Sequence, residues 1–326
     1  MGANGTPEHG HDRSGNDESG DAGAGKVVAV GVFDGVHRGH QGLIAQARDL
    51  ADRLGLPLVA LTFDPHPASI VPGRQAPASL APLADRIALL HAAGADEVVV
   101  LPFDEQLAAM EPQAFVDRIL VDQLGARAVV VGENFRFGKG ASGDVDALRA
   151  LGGQRGLSIS AVALHPADAP WSSSRVRTAL ASGDVQAAAL ILGRPYHLAG
   201  VIVHGDHRGR ELGYPTANLA VEGHPAIPAD GVYAGWLQVA GSPDRWPAAI
   251  SVGTNPQFDG RQHRIEAFVI DQRGLDLYGA AVGLDFLHRL RDQQTFDSLE
   301  AFIAQMGADV SRARDLLAGS AEFPGD

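Results

Sequence analysis

The sequence contains no cysteine among its 326 residues. Disulfides, thiolate metal sites and cysteine nucleophiles are therefore all excluded. Positive charge is also in short supply, because 26 Lys and Arg stand against 39 Asp and Glu, for a formal net charge of -13. Nucleic-acid binding that is independent of sequence depends on clustered Lys and Arg, so we expect no nucleic-acid partner.

Long apolar runs are missing as well. No segment approaches the roughly 18 apolar residues that a membrane-spanning helix needs. The polar N-terminus also lacks the basic-then-apolar pattern of a secretory signal. We therefore expect a cytoplasmic protein without a membrane partner. Hydrophobic residues still make up 45% of the chain, which is normal for a globular protein, and the length suits two domains.

Residues 1–25 are rich in Gly, Asp and Asn and almost free of large apolar side chains. Such a segment cannot bury enough surface to become ordered, so we predict a disordered tail. His9 and His11 within it are compatible with metal binding, but a solvated tail is the favoured interpretation.

Residues 26–188 show strands alternating with amphipathic helices, a pattern that predicts a parallel α/β sheet. Predicted strands lie at 26–30, 56–63, 96–103, 126–132 and 157–164. Predicted helices lie at 40–55, 83–94, 111–125, 145–151, 172–183 and 184–193, the first closed by Gly55 as a C-cap.

Residues 189–326 have a different pattern, with short strands separated by Gly, Pro and Asp. The predicted strands lie at 197–205, 231–240, 245–253 and 264–271, and one helix lies at 295–319. This pattern predicts an all-β barrel or sandwich followed by a C-terminal helix. We place the boundary between the two halves near residues 188–193.

The stretch GVFDGVHRGH follows the first predicted strand directly. Gly31 and Gly35 allow positive φ or the close approach of a ligand. His37 and His40 share one face of the first turn of the next helix, where free N–H groups and the positive dipole end favour an anion. Gly39 leaves the backbone open between them, which suits a polyphosphate. A pair of purely structural histidines is the alternative.

Four stretches together resemble a known family. GVFDGVHRGHQGLI (31–44) resembles the HxGH signature of nucleotidyltransferases, and in particular the adenylyltransferase half of the bifunctional bacterial riboflavin kinase/FAD synthetase family. TFDPHP (62–67), GENFRFGKGASGD (132–144) and WSSSRVRTAL (171–180) resemble further motifs of the same half, in the expected order. The resemblance implies a Rossmann-like nucleotidyltransferase domain at 26–188.

The resemblance also implies a reaction and a set of site residues. The phosphate of FMN attacks the α-phosphorus of ATP and pyrophosphate leaves, so the site must supply orientation and charge neutralisation. The implied catalytic residues are His37, His40 and Arg177. The implied ATP and phosphate ligands are Gly31, Phe33, Asp34, Gly39, Ser173 and Ser174. The implied flavin and nucleotide loop residues are Asn134, Phe135, Asp144, Pro65 and His66.

Some of these positions depart from the family pattern or allow a structural alternative. Ser174 stands where Thr is usual, Asn134 where Asp is frequent, and Ala141 where an Arg is common. The serines of WSSSRVRTAL also suit a helix N-cap. The two prolines of TFDPHP also suit a rigid turn.

The segment GDHRGRELGYPTANL (205–219) resembles the riboflavin kinase signature. Thr216 and Asn218 face the same way on an extended segment, and their oxygens suit Mg²⁺. A Gly-rich hairpin is the structural alternative. The resemblance implies that the kinase binds ATP through Gly205, Gly209, Arg210, Gly213 and Pro215 and metal through Thr216 and Asn218.

Phosphorylation of the riboflavin 5′-hydroxyl calls for a general base. In RIEAFVID, Glu266 shares a strand face with Phe268 and Ile270, which is an unusual place for an acid. The resemblance assigns the catalytic carboxylate of the kinase to Glu266. The alternative is an edge-strand glutamate paired with Arg264.

The stretch RLRDQQTFDSLEAFIAQM resembles the last family element and implies flavin contacts from Arg291 and Phe296. DLYG (276–279) and SVGTNPQFDG (251–260) resemble family motifs too, and Asn255 of the latter suits either ligand orientation or a turn.

The resemblance thus predicts a bifunctional enzyme that converts riboflavin and ATP to FMN and ADP, then FMN and a second ATP to FAD and pyrophosphate. We expect Mg²⁺ but no tightly held organic cofactor, and a monomer or weak homo-oligomer. Two rivals are a flavoprotein oxidoreductase, which the missing GxGxxG fingerprint disfavours, and a non-catalytic flavin- or nucleotide-binding regulator. Transfer of CMP instead of AMP is a further alternative.

Overall fold

The computed structural model describes residues 25–71, 73, 75–163, 171–204, 214–254, 263–272 and 274–319. In this part of the chain, the first half is a parallel sheet flanked by helices and the second half is a closed antiparallel barrel with a C-terminal helix. Both predicted fold classes are therefore confirmed. The predicted disordered tail lies outside the described residues, except for Gly25.

The described part of the first half contains five parallel strands in the order β3-β2-β1-β4-β5. They are β1 Lys26–Val30, β2 Leu58–Asp64, β3 Glu97–Pro102, β4 Ala126–Gly132 and β5 Ser158–Val162. Alternate residues of β1 pack into different core clusters, because helices cover both faces of the sheet. The chain leaves β1 toward β2 and returns on its other side at β4. This reversal opens a crevice at the carboxyl ends of β1 and β4.

The described helices of the first half agree with the periodicity predictions, except that the short helix α3 was not predicted. They are α1 Arg38–Leu54, α2 Leu83–Ala92, α3 Glu105–Ala108, α4 Pro112–Ala114, α5 Val145–Gly153, α6 Ser173–Ala181 and α7 Val185–Leu192. The predicted C-cap Gly55 has φ 65° and closes α1.

The segment predicted as one helix over 111–125 differs in its winding. After α4 it continues as a π-helix over Phe115–Gln123. Phe115, Ile119 and Leu124 are all buried, and the N–H of Leu124 donates to the carbonyl of Ile119. Residues four to five apart share the buried face because a π-helix bonds residues five apart.

The described strands of the second half close into a barrel in the order β10-β7-β6-β11-β8-β9. They are β6 Tyr196–Val203, β7 Thr216–Ala220, β8 Gly231–Val239, β9 Arg245–Thr254, β10 His263–Val269 and β11 Ala281–Arg291. Helix α8, Leu299–Ala318, follows the barrel. The sequence analysis did not predict β11. Its pairing with β8 shifts register between Phe286 and His288 and again between Arg289 and Arg291, so clean two-residue alternation is lost.

The two halves share one hydrophobic core. Leu180 of α6 and Leu192 of α7 belong to the same buried cluster as Tyr196, Tyr233 and Phe286 of the barrel. On the outside of the barrel, α8 packs in a separate cluster through residues that include Val310, Ala313 and Leu317. None of the helices in the described part of the chain is long and apolar enough to cross a membrane.

Candidate active sites

A cavity of about 490 Å³ opens at the carboxyl edge of the parallel sheet. Its wall comes from the turn after β1, the segment after β2, the segment before α2 and the start of α6. The lining residues are Val32, Asp34, His40, His66, Ala68, Gln75, Pro77, Ser173, Ser174 and Arg177. The structure therefore brings together three motifs that are far apart in the sequence. Gln75 and Pro77 were not among the predicted site residues.

The turn after β1 has an unusual backbone. Phe33, Gly35 and Val36 all have positive φ, at 53°, 77° and 37°. Phe and Val adopt such values only where the surroundings hold them, and both side chains are fully buried here. A Cβ on Gly31 would lie 2.9 Å from the ring of Phe33, which explains the glycine. The turn carries Asp34 inward and delivers His37 to the start of α1.

His37 and His40 form a stacked pair at the N-terminus of α1. The Nδ1 atom of His37 caps the helix by accepting from the backbone N–H of His40 at 3.4 Å. The two ring centroids are 3.7 Å apart, and the ring of His40 meets the ring of Phe33 edge-on at 5.2 Å. Burial, and then the nearby ring of His37, hold the pKa of His40 well below its usual value. The Nδ1 atom of His40 is buried without a hydrogen-bond partner in the described structure.

The structure places the two predicted histidines differently. His40 lines the cavity, whereas His37 is only 3% exposed and is not among the lining residues. With Nδ1 engaged in the cap, a contact from His37 to a ligand would have to use Nε2.

Asp34 joins the turn to α6. Its carboxylate accepts a hydrogen bond from the backbone N–H of Leu80 at 2.9 Å and forms a short ion pair with Arg177. The Nε of Arg177 donates to the carbonyl of Ala78 at 2.6 Å, and the hydroxyl of Ser173 donates to the carbonyl of Asp34 at 2.8 Å. Asp34 is only 5% exposed, so loss of Arg177 would leave a buried charge unpaired.

Helix α6 begins at Ser172, whose hydroxyl accepts from the backbone N–H of Arg175 at 3.3 Å. The structure therefore assigns the N-cap to Ser172, a residue that the predicted site set omitted, and leaves Ser173 and Ser174 at the cavity. The N-termini of α1 and α6 both border the cavity. Each has a positive dipole end, which favours a multiply charged anion.

The segment after β2 adds His66 to the cavity wall. The peptide bond between Asp64 and Pro65 is cis, and Nδ1 of His66 accepts from the N–H of Ala68 at 3.1 Å. Burial lowers the pKa of His66, and the positive charge of Arg177 acts in the same direction.

Arg86 of α2 was missed by the sequence analysis. It is 5% exposed, and its Nη1 donates to the carbonyls of Val32 and Phe63, both at 3.1 Å. Its Nη2 donates to the carboxylate of Asp64 at 3.0 Å. The guanidinium thus ties the ends of β1 and β2 together below the cavity. The sequence did contain one indication of the burial of Arg86. It lies four residues before Leu90, which places its charge on the buried face of α2.

The predicted flavin loop after β4 does not line the cavity. Asn134 is exposed, and Phe135 stacks on Phe137 with ring centroids 5.6 Å apart. Asp144 caps α5 by accepting from the N–H of Ala147 at 2.9 Å, and this hydrogen bond is the main reason that its pKa is lowered. The loop shares the carboxyl edge of the sheet with the cavity, but Phe135 and Asp144 have local structural contacts there and Asn134 is exposed.

The predicted kinase residues form a row on the outside of the barrel. Glu266 of β10 lies directly opposite Asn218 of β7 and Ser251 of β9, and Phe268 lies opposite Thr216. The alternate residues of β10 are buried in the barrel core, so Glu266 points outward.

The alternative interpretation of Glu266, an edge-strand glutamate paired with Arg264, agrees with the structure in its ion pair but not in its edge position. Nε of Arg264 lies 2.6 Å from Oε1 of Glu266, so the ion pair exists. The strand is not an edge, however, because β10 pairs with β7 on one side and β9 on the other. Arg264 is about half exposed and Glu266 about a quarter exposed, at 44% and 24% of their side-chain surfaces. The carboxylate therefore remains accessible to a ligand.

Arg291 holds the C-terminal helix to the barrel. Its Nε and Nη2 donate to the carboxylate of Asp309, the Nη2 contact to Oδ2 measuring 2.7 Å, and Asp309 is only 7% exposed. The guanidinium carbon also lies 5.8 Å from the ring centroid of Phe296, so the two predicted flavin-side residues are neighbours. The sequence analysis missed Asp309, which also accepts from Gln305 one helical turn earlier.

The remaining predicted kinase residues can be placed only in part. Pro215 is exposed and directly precedes β7. Outside the described residues lie Gly205, Gly209, Arg210, Gly213 and Asn255.

Comparisons with known proteins match both halves. A family model described as FAD synthetase matches residues 21–175, and one described as riboflavin kinase matches residues 192–317. A bifunctional riboflavin kinase/FMN adenylyltransferase from Pseudomonas fluorescens is 39% identical over 91% of this chain and 94% of its own length. A protein of the same description from Bacillus subtilis is 34% identical, covering 88% and 91% of the two chains.

A solved structure supports the same fold over both halves. A crystal structure described as a macrolide-efflux protein from Streptococcus pneumoniae superposes with a TM-score of 0.81 at 32% identity, covering 89% of this chain and 94% of that one. The sequence relatives span nearly the full chain and carry both named activities. This chain therefore belongs to the family of bifunctional riboflavin kinases/FMN adenylyltransferases, which make FMN from riboflavin and FAD from FMN with ATP.

Proposed function

We propose that the cavity beside β1 binds ATP for adenylyl transfer and that the outer face of β7 and β10 carries the kinase reaction. In this division, residues 26–188 form the adenylyltransferase and residues 189–326 the riboflavin kinase. The observation that supports it most is the convergence of two helix N-termini on one cavity, with His40 and Arg177 in its wall.

The adenylyl transfer needs little proton chemistry. A phosphate oxygen of FMN bonds to the α-phosphorus of ATP while the bond to the β-phosphate bridging oxygen breaks, and pyrophosphate leaves. The attacking oxygen is already anionic, so no residue has to remove a proton. The N–H groups of α1 and α6, with Arg177, Ser173 and Ser174, neutralise the triphosphate, and His40 donates to it.

The flavin of this reaction is assigned to the loop after β4. Asn134, Phe135 and Asp144 share the sheet edge with the cavity, His66 lines the cavity, and Pro65 directly precedes His66 after β2. FMN bound there would reach toward the α-phosphate of ATP across the crevice.

The kinase reaction does need a base. The carboxylate of Glu266 takes the proton from the riboflavin 5′-hydroxyl as its oxygen bonds to the γ-phosphorus of ATP, and ADP leaves. Arg264 holds the carboxylate in place from the same strand. Arg291 and Phe296 border the flavin side, while Pro215 and the glycines before it border ATP.

The row of oxygen donors on β7 and β10 fits Mg²⁺. Thr216 and Asn218 project from the same side of β7, and Asn218 faces Glu266 across the strand pair. The described residues contain no group of three or more His, Cys, Asp or Glu able to hold a metal. Thr216 and Asn218 would therefore hold the ion together with phosphate oxygens. When bound, it neutralises charge on the transferring phosphate.

The remaining expectations belong to the same proposal. We place the enzyme in the cytoplasm, as a monomer or weak homo-oligomer without nucleic-acid or membrane partners. The net charge of -13 supports the absence of a nucleic-acid partner. FMN and FAD act as intermediate and product, so no organic cofactor has to stay bound.

The test is incubation of the full chain with riboflavin, ATP and Mg²⁺, with flavins and nucleotides separated by chromatography. FMN and ADP should appear first, followed by FAD and pyrophosphate. Omission of Mg²⁺ should abolish both reactions, and replacement of ATP by CTP should yield no flavin dinucleotide. Appearance of neither FMN nor FAD would overturn the proposal.

A further inference from the structure

The strained turn after β1 exposes two carbonyl oxygens just before His37. Among the described residues, the side chains of Gln41 and Arg194 donate hydrogen bonds to these carbonyls. Nε2 of Gln41 donates to the carbonyl of Val36 at 2.8 Å, and Nη2 of Arg194 donates to the carbonyl of Gly35 at 2.9 Å. Arg194 also reaches the carbonyl of Val36 at 3.4 Å through Nη1. These contacts hold the backbone at the point where φ is positive.

Arg194 comes from the other half of the molecule. It follows Gly193, the C-cap of α7, and lies inside the segment matched by the riboflavin kinase family model. Gln41 and Arg194 both donate to the carbonyl of Leu192, at 2.9 Å and 3.4 Å. The beginning of the kinase half is thereby joined to the HxGH turn of the adenylyltransferase half.

The guanidinium of Arg194 is held in place electrostatically. Burial lowers its pKa, while Asp285 of β11 and Asp85 of α2 oppose this shift with their negative charges. Asp285 in turn contacts His197 of β6 at 2.7 Å. Acids of the barrel and of α2 therefore both favour the charged form of Arg194.

We propose that Arg194 is a positioning residue for adenylyl transfer, which holds the turn at Gly35 and Val36 so that His37 caps α1 and His40 meets the triphosphate. Without it, the carbonyl of Gly35 loses its donor, the carbonyl of Val36 keeps only Gln41, and Val36 can relax toward negative φ. The first turn of α1 then shifts, because His37 is its N-cap. A misplacement of about 1 Å can cost about 10²-fold in rate.

The test replaces Arg194 by Met, which keeps the apolar stem and removes the donors. Conversion of FMN and ATP to FAD should fall by about 10²-fold in kcat/KM. Conversion of riboflavin to FMN by the same sample should change less than about twofold, since Arg194 does not lie among the residues assigned to that reaction. The matched control is Arg245→Met, an exposed arginine of the kinase half whose guanidinium carbon lies 4.8 Å from the ring centroid of Trp236, and both activities should survive there.

A second readout separates positioning from general stability. In Arg194→Ala, guanidinium ion added at non-denaturing concentration should restore part of the FAD-forming kcat, because it can occupy the vacated donor site. Arg194→Lys should retain about a tenth of the activity, since one ammonium cannot reach both carbonyls with fork geometry. A purely structural loss would not respond to guanidinium and would lower both activities together.

The inference rests on the proposed phosphate role of the histidines, and the experiment distinguishes the two. If His40→Ala retains full FAD formation, the proposed site is wrong whatever Arg194 does. If His40→Ala is inactive but Arg194→Met forms FAD at the normal rate, the positioning role of Arg194 is overturned. Equal loss of both activities in Arg194→Met, without rescue, would overturn it as well.

Discussion

Glu266 and His40 are single residues that we propose act in different reactions. Glu266 lies on the outside of the barrel, and a carboxylate there can take a proton from a hydroxyl. We expect Glu266→Gln to lower FMN formation by roughly 10²-fold or more while conversion of added FMN to FAD continues. His40→Ala should do the reverse, because His40 lines the cavity beside β1. Each variant thus serves as the folding control for the other, in separate assays of FMN and FAD formation.

The variant Arg264→Met is the control that separates a base role of Glu266 from its ion pair with Arg264. If Glu266 matters only as the partner of Arg264, then Arg264→Met should be as inactive as Glu266→Gln. A base role predicts instead that Arg264→Met keeps most of its kinase activity. FMN formation within about threefold of wild type in Glu266→Gln would rule out the base role.

His197, a histidine outside both sites, is expected to make the free energy of unfolding depend on pH. His197 of β6 faces Asp285 of β11, with Nδ1 and Oδ1 2.7 Å apart. Burial lowers the pKa of His197, but the hydrogen bond and charge of Asp285 outweigh burial, so the pKa is raised. The stabilisation is therefore fully present below the unfolded pKa of about 6.5 and is lost as the pH rises through the raised folded value.

The variant His197→Gln tests this sign. Its free energy of unfolding should fall short of wild type by more at about pH 6 than at about pH 9, as measured by urea titration followed by circular dichroism. The charge of Asp285 also acts on the pKa of Arg194, so Asp285→Asn would change two interactions and is the poorer choice. A deficit that grows toward alkaline pH would contradict the assignment.

Individual residues also show what the sequence can reveal of the site. His40, Ser173 and Arg177 were predicted from motifs, and the structure gathers them around one cavity. Arg86 and Asp309 were missed because their partners, the carbonyl of Val32 and the guanidinium of Arg291, lie 54 and 18 residues away in the sequence. Such pairings depend on tertiary structure, and no local spacing encodes them.

At the scale of elements, the N-cap of α6 stabilises a helix whose first residues line the cavity. Ser172 caps the helix that presents Ser173, Ser174 and Arg177 to the cavity. We expect Ser172→Ala to cost about 1 kcal/mol of stability and to raise the KM for ATP in FAD formation. The matched control is Ser298→Ala at the N-cap of α8, where the hydroxyl accepts from the N–H of Ala301 at 3.1 Å.

The two cap variants should lose similar stability but differ in function. Ser298→Ala should leave the KM for ATP in FAD formation unchanged, because α8 lies against the barrel. Thermal unfolding and steady-state kinetics on both variants provide the measurement. An equal effect on that KM in both would show that the cap acts through stability alone.

Elements also differ in how clearly the hydrophobic periodicity of their sequence predicts them. The first-half strands and most of its helices keep a clean period, and the predictions there agree with the structure. β11 was missed because its two register shifts break the alternation of buried and exposed residues. The π-helix after α4 was predicted as an α-helix because α-helices and π-helices bury similar sequences. Local geometry of this kind is set by the neighbours against which the element packs.

At the scale of the molecule, the order of the two halves was predictable from composition and motifs, but their shared core was not. Ser79 of the first half accepts from Ala226 and donates to His224 through its backbone, and Arg289 of β11 donates to the carbonyl of Ser182 at 3.0 Å. Together with the cluster around Leu180 and Phe286, these contacts join the halves over a broad surface. Each half viewed in isolation would expose apolar side chains that the sequence pattern assigns simply to its own core.

A shared core predicts that the two activities are lost together. Leu120 is fully buried in the cluster that belongs to the parallel sheet, well removed from the barrel. Leu120→Ala should cost about 2–5 kcal/mol, and because the halves unfold as one unit, the urea midpoint of riboflavin phosphorylation should fall as far as that of FAD formation. Both activities and circular dichroism would be followed on the same urea series. If kinase activity keeps its wild-type midpoint while FAD formation is lost at lower urea, the halves unfold separately, and the core between α6, α7 and the barrel contributes little to cooperativity.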